Sequence, residues 1–144
     1  ADCVPILLYD PVQHAAAIAH AGWRGTVSGM AQTVVREMGR NFGCRPTDIL
    51  AAIGPSISAE RYPVSAEVAS AARHAFPDCD DVMPVHNGVA HFDLWAANQR
   101  ALRRCGVNTI ELSGLCTAAN SDRFFSHRAD AGETGRFGAV ITLK

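Results

Sequence analysis

No apolar run in this sequence is long enough to cross a bilayer. The longest, residues 4–9 and 15–21, fall well short of the roughly 20 residues a spanning helix needs, and polar residues soon follow each. A surplus of one charge is also missing: 13 Lys and Arg stand against 14 Asp and Glu, a formal net charge of −1. No chain-wide field therefore draws nucleic acid or an anionic membrane. The five cysteines, at positions 3, 44, 79, 105 and 116, are odd in number and include no CxxC pair. That excludes a simple disulfide scaffold and favours a reducing, cytoplasmic setting. Initiator Met and basic leader are both absent, and the first residues already read as the start of a strand, so upstream sequence is expected. Gly54-Pro55-Ser56 has no phosphate-loop lysine after it, which leaves a nucleotide-triphosphate site unsupported.

What is present suffices for one domain, or most of one: 144 residues, 48% apolar and 19% charged. Residues 4–9 and 15–20 read as a β-hairpin about Pro11-Val12, a turn that would set Cys3 directly opposite His20. Val27, Met30, Val34, Val35 and Met38 recur at helical spacing, with Thr26 or Ser28 as cap and Gly39 and Gly43 as stops. A strand over residues 49–53 and a helix over 65–76 follow, then an exposed connection over 78–87 and a short strand over 89–92. Asp93 caps a helix whose stripe is Leu94, Trp95, Asn98, Ala101, Leu102 and Cys105, with Gly106 as its stop. Residues 109–112 and 139–143 predict two further strands.

The sharpest chemical feature is Cys3 with His20, because thiolate and imidazole are the commonest zinc ligands. A catalytic zinc site normally takes three protein ligands, so the pair is incomplete alone. The same two side chains also suit a cysteine nucleophile with a histidine base, or simply a buried thiol beside a packed histidine. Strand alternation sends Asp2 to the face opposite Cys3, which keeps it from completing a triad. Gly22-Trp23-Arg24-Gly25 sets a guanidinium just after His20, and Arg is suited to planar recognition of phosphate. Trp23 either stacks on a ring or fills the core. Ser126-His127-Arg128 and Thr134-Gly135-Arg136 bring two more guanidiniums into one Gly-rich region, an anion-facing loop or a solvated run paired with Asp130 and Glu133. His14, His74, His86 and His91 lack ligand-like spacing.

Ala1-Asp2-Cys3, Ala19-His20-Ala21-Gly22-Trp23-Arg24-Gly25, Ile53-Gly54-Pro55-Ser56-Ile57, Phe92-Asp93-Leu94, Leu115-Cys116-Thr117 and Thr134-Gly135-Arg136 follow one another across nearly the whole chain. In this series the sequence resembles the YfiH-type family, also called the multicopper polyphenol oxidase or laccase domain. The resemblance implies a mixed α+β sandwich in four layers (α/β/β/α), here a single domain over residues 1–144 lacking its N-terminal portion. It implies a zinc-dependent purine nucleoside phosphorylase with adenosine deaminase activity, acting on adenosine, inosine, guanosine or methylthioadenosine with phosphate. Cys3 and His20 carry over as two of three metal ligands, the third being a histidine upstream of residue 1. Zinc is the expected ion, with copper possible. Arg24 and Arg128 are the candidates to hold phosphate, and Asp2 is a candidate for proton transfer or for orienting a ligand. Ser56 stands where the family often has Cys, and His127 where Tyr is common. The same architecture is similar to that of toxin glutamine deamidases, which keeps a Cys3 and His20 hydrolase or deamidase as an alternative. Copper polyphenol oxidase chemistry fits less well, because a four-copper site needs roughly ten histidines and this sequence has six, scattered.

Overall fold

The computed structural model describes residues 1–78 and 80–144, so Cys79 lies outside the described residues. Strand β1 (Val4–Asp10) runs antiparallel to β2 (Ala15–Ala21). Its Val4, Ile6, Leu8 and Asp10 are buried, while Pro5, Leu7 and Tyr9 on the other face are only partly so. The hairpin register differs from the expected one: Val4 faces Ala21 and Pro5 faces His20. The cause is the turn. Asp10 Oδ1 accepts the Val12 N–H at 2.7 Å and the Gln13 N–H at 3.0 Å, and this side-chain turn spreads the connection over residues 11–14. A shift of two positions preserves facing, because side chains alternate with period two. Cys3 and His20 therefore share the outer side of the sheet as diagonal neighbours, about 7–8 Å apart along the backbone, instead of a direct pair.

Strand β3 (Leu50–Ile53) pairs antiparallel with β1, and β6 (Thr109–Leu112) parallel with β3, giving the order β2-β1-β3-β6. A parallel neighbour requires a long crossover. That crossover holds α3 (Ala66–Ala75), a small β4–β5 hairpin (Val85–His86 and Val89–Ala90) and α4 (Leu94–Arg104). Strand β4 falls in the stretch read as an exposed connection over 78–87, and the strand expected over 89–92 is present only as β5, Val89–Ala90.

The helix expected from Val27 is two: α1 (Trp23–Val27) and α2 (Met30–Phe42), parted by Gly29 at φ +81°. Thr26 is not a cap but a buried residue of α1, accepting from Asn98 Nδ2 at 3.0 Å, and Ser28 makes no cap to α2 either. Gly43, at φ +71°, ends α2 as expected, whereas Gly39 lies inside it. Ser65 and Asp93 cap α3 and α4 by accepting from Val68 N–H and Ala96 N–H. Helices α2 and α4 pack on the inner face of the sheet through Ala31, Val35, Met38, Ala97, Ala101 and Leu102. The result is an α+β fold: a four-stranded mixed sheet with α2 and α4 on its inner face, and a separate two-stranded sheet of β4 and β5.

Residues 139–143 form no strand. Ala139 lines a cavity with Pro5 and Ile18, and Ile141 lines another with Tyr9 and Leu50, so the segment borders the sheet without joining it.

Burial opposes ionisation of Asp10, but the Gln13 N–H, the Cys44 thiol and the Val12 N–H outweigh it and hold the carboxyl below the usual range. Burial, with Asp10 beside it, pushes the Cys44 thiol up to about 11. A depressed carboxyl stabilises the folded chain above its unfolded-state pKa, and that stabilisation is lost as pH falls through the folded-state pKa. Asp10→Ala is expected to cost about 1–3 kcal/mol in urea unfolding at pH 7, and the gap from the parent to narrow below about pH 4.

Candidate functional site

Where the outer side of the β1–β2 end meets the loops, a cavity of about 550 Å³ opens, lined by Asp2, Cys3, His20, Arg24, Tyr62 and Arg128 among others. All five residues singled out in the sequence thus border one space. Cys3 enters from the residue before β1 and His20 from the penultimate position of β2. Gly22 makes room for the sulfur: a Cβ there would lie 2.8 Å from Cys3 Sγ. Its φ of −71° is ordinary, so space and not backbone conformation demands the glycine.

Each of two guanidiniums rests on an aromatic ring. Arg24 lies 4.3 Å from the ring centre of Trp23, which is itself partly buried against the core. Trp23 therefore packs below and supports a cation above. Arg128 lies 4.9 Å from the ring centre of Tyr62 and donates from Nη1 to the Pro63 carbonyl at 2.9 Å. The loop bearing Arg128 is braced from within: Asp130 accepts from the Ser126 N–H at 3.3 Å and from the Thr134 hydroxyl at 2.6 Å. It also brings His127 and Arg136 to the cavity. Arg136 donates to the carbonyls of Thr134 and Gly135, so Asp130 pairs within the loop and not with these cations.

Asp2 is buried at φ +72°. Its Oδ1 accepts from the Thr117 hydroxyl at 2.6 Å and the Ser126 hydroxyl at 2.8 Å, and Oδ2 from the Arg128 N–H at 2.7 Å. Its carbonyl accepts from the Ile57 N–H at 3.0 Å. The motifs at residues 53–57 and 115–117, read as separate in the sequence, meet in a Ser56–Cys116 bridge. Trp95 donates to Ser56 Oγ at 2.7 Å and the Ser58 N–H points at Cys116 Sγ, so Ser56 and Cys116 brace this wall.

Burial pushes the Cys3 thiol up; Asp2 adds to this and Arg136 opposes it. Burial likewise raises the Tyr62 phenol, with Arg128 opposing. Cys3 and His20 offer a sulfur and an imidazole nitrogen to one space, a donor set that suits zinc. Among the described residues no group of three His, Cys, Asp or Glu side chains could hold a metal ion. Three of the other histidines are engaged elsewhere: His91 Nδ1 sits 2.6 Å from the Ala59 carbonyl, His86 lies edge-on to His91, and His14 packs on Tyr9, whereas His127 borders the cavity. Tyr62 escaped sequence reasoning. Its only signal was an aromatic with a polar tip before Pro63, shortly after Gly54-Pro55.

The fold and site define an α+β protein whose sheet-end cavity gathers a thiol, an imidazole and several guanidiniums. The chain belongs to the multi-copper polyphenol oxidoreductase laccase family, whose model matches residues 1–144. It is 40% identical over 148 residues to a Bacillus subtilis protein named purine nucleoside phosphorylase YlmD, covering 100% of this chain and 53% of the relative. It is 42% identical over 142 residues to adenosine deaminase RL5 of an unknown prokaryotic organism, covering 94% and 53%. Among solved structures, the Bacillus licheniformis protein YfiH superposes with a TM-score of 0.86 at 40% identity, covering 94% of this chain and 52% of that one. The chain spans about half the length of the curated relatives it matches. Among the described residues, no helix is long and apolar enough to cross a membrane.

Gly22→Ala is expected to leave the melting temperature near that of the parent while displacing Cys3 Sγ by about 0.7 Å or more, the distance needed to restore ordinary contact. A structure of the variant checks this.

Proposed function

We propose that this chain is the part of a zinc-dependent purine nucleoside phosphorylase that supplies two metal ligands and the phosphate clamp. It forms a single domain over residues 1–144 without an N-terminal portion, which in the cytoplasmic enzyme adds a third ligand, a histidine. The observation that carries the reading is the convergence of Cys3, His20, Arg24 and Arg128 on one cavity. The family and the relative named as a purine nucleoside phosphorylase support it.

In phosphorolysis a phosphate oxygen bonds to C1′ of the nucleoside, the bond from C1′ to the base nitrogen breaks, and the base leaves with the electron pair and takes up a proton. Positive charge develops on the sugar, so an anion held beside it both attacks and stabilises. Arg24 and Arg128 hold that anion by charge-assisted hydrogen bonds. Their aromatic supports, Trp23 and Tyr62, keep the guanidiniums close to the geometry they need. Cys3 and His20 hold the ion, which when bound supplies Lewis acidity. The substrates are adenosine, inosine, guanosine or methylthioadenosine. Deamination of adenosine is a second activity of the same cavity, supported by the relative named adenosine deaminase.

The full-length protein is expected to release free base from inosine only when phosphate is supplied. No release with or without phosphate overturns the reading. Cys3→Ala is expected to lose bound zinc in elemental analysis, and chelation to abolish turnover; activity that survives complete chelation assigns the reaction to the thiol instead. Arg128→Ala is expected to raise the KM for phosphate by about tenfold or more.

A further inference from the structure

We infer that Asp2 is a positioning residue: its carboxylate clamps the Arg128 loop onto the segment that carries Cys3, and it does not itself transfer a proton. Three hydrogen bonds reach this one carboxylate, from the Thr117 hydroxyl, the Ser126 hydroxyl and the Arg128 backbone N–H, all at 2.6–2.8 Å. A carboxylate has about four acceptor positions, so its capacity is nearly filled. The donors lie 115 to 126 positions away in sequence, and two of them sit in the loop that delivers Arg128 to the cavity. Ser126 Oγ also accepts the Ala129 N–H at 3.1 Å, which carries the clamp one turn further into that loop. On the other side Asp2 is fixed through its carbonyl to the Ile57 N–H and by the covalent chain to Cys3. A single buried side chain therefore sets the relation between Cys3 and the Arg128 guanidinium over Tyr62.

The bonding pattern separates a clamp from a proton carrier. In Asp2→Asn the amide oxygen can face the Arg128 N–H, a donor that cannot reverse. The amide NH₂ can face the two hydroxyls, which accept as readily as they donate. Asn also tolerates the φ of +72°, as Gly does, whereas Ala there would be strained. Asn thus keeps the clamp and loses the carboxylate; Gly loses both without adding backbone strain.

The test compares Asp2→Asn, Asp2→Gly and Ser126→Ala in the full-length protein, by hydrogen exchange at the Arg128 amide and by kinetics at varied phosphate. The kinetic arm rests on the phosphorylase reading; the exchange arm does not. Expected is Arg128 amide exchange about tenfold or more faster in Asp2→Gly, an intermediate change in Ser126→Ala, and little change in Asp2→Asn. In parallel, the KM for phosphate rises about tenfold in Asp2→Gly and stays within about threefold of the parent in Asp2→Asn. If Asp2→Gly does not fold, Ser126→Ala against Asp2→Asn decides by the same readouts. Unchanged Arg128 exchange in the clamp-breaking variants overturns the inference. So does an Asp2→Asn enzyme that loses kcat as completely as Asp2→Gly at unchanged KM, the signature of a proton carrier. Should the parent release no base, the phosphorylase reading falls and the exchange comparison alone decides the clamp.

Discussion

A carboxylate removed from water must find donors inside the protein, or its burial is prohibitive. Asp2 meets that requirement with partners drawn from the far end of the chain. The stretch from residue 117 to 128 is therefore held against Asp2, just before β1, and the wall of the cavity depends on that return. The neighbouring residue turns the other way: one position on, Cys3 is directed to the outer side, where His20 also lies. Two adjacent residues thus divide the work, one bracing the wall and one facing the cavity.

The two arginine–aromatic pairs give the cavity its second character. A guanidinium lying on a ring at 4.3 Å or 4.9 Å loses part of its side-chain freedom in advance, and Arg128 is further fixed by its bond to the Pro63 carbonyl while donors on its other edge stay available. Less entropy is then lost when an anion arrives. Tyr62 and Trp23 come from different parts of the chain, so the two cations are supported independently. This arrangement suits an anion held between arginines better than a single ion pair on the surface.

Much of this was legible in the sequence, and the exceptions have physical causes. Hydrophobic spacing located α2 and α4, and Asp93 and Gly43 behave as cap and stop because those roles depend on local chemistry alone. The hairpin register was misplaced because Asp10 binds two backbone N–H groups and lengthens the turn, yet facing survived the shift of two. Residues 139–143 have strand composition, but pairing depends on an available edge, which composition does not report. Cys3, His20, Arg24 and Arg128 were found through their motifs and all border the cavity. Tyr62 was missed because a lone aromatic carries no local sign of the cation above it. The partners of Asp2 were hidden by sequence distance.

That distance bears on the order of events during synthesis. The sheet's first hairpin and α2 can assemble from early residues, but the contacts that close the cavity span as many as 126 positions. Contacts so far apart in sequence form late, after the large loop between them has been brought together. A nascent chain emerging from the ribosome would already present its thiol and imidazole while still lacking any guanidinium from the Arg128 loop. Ligand chemistry that needs both segments is thereby deferred until the Arg128 loop has been made and has folded back.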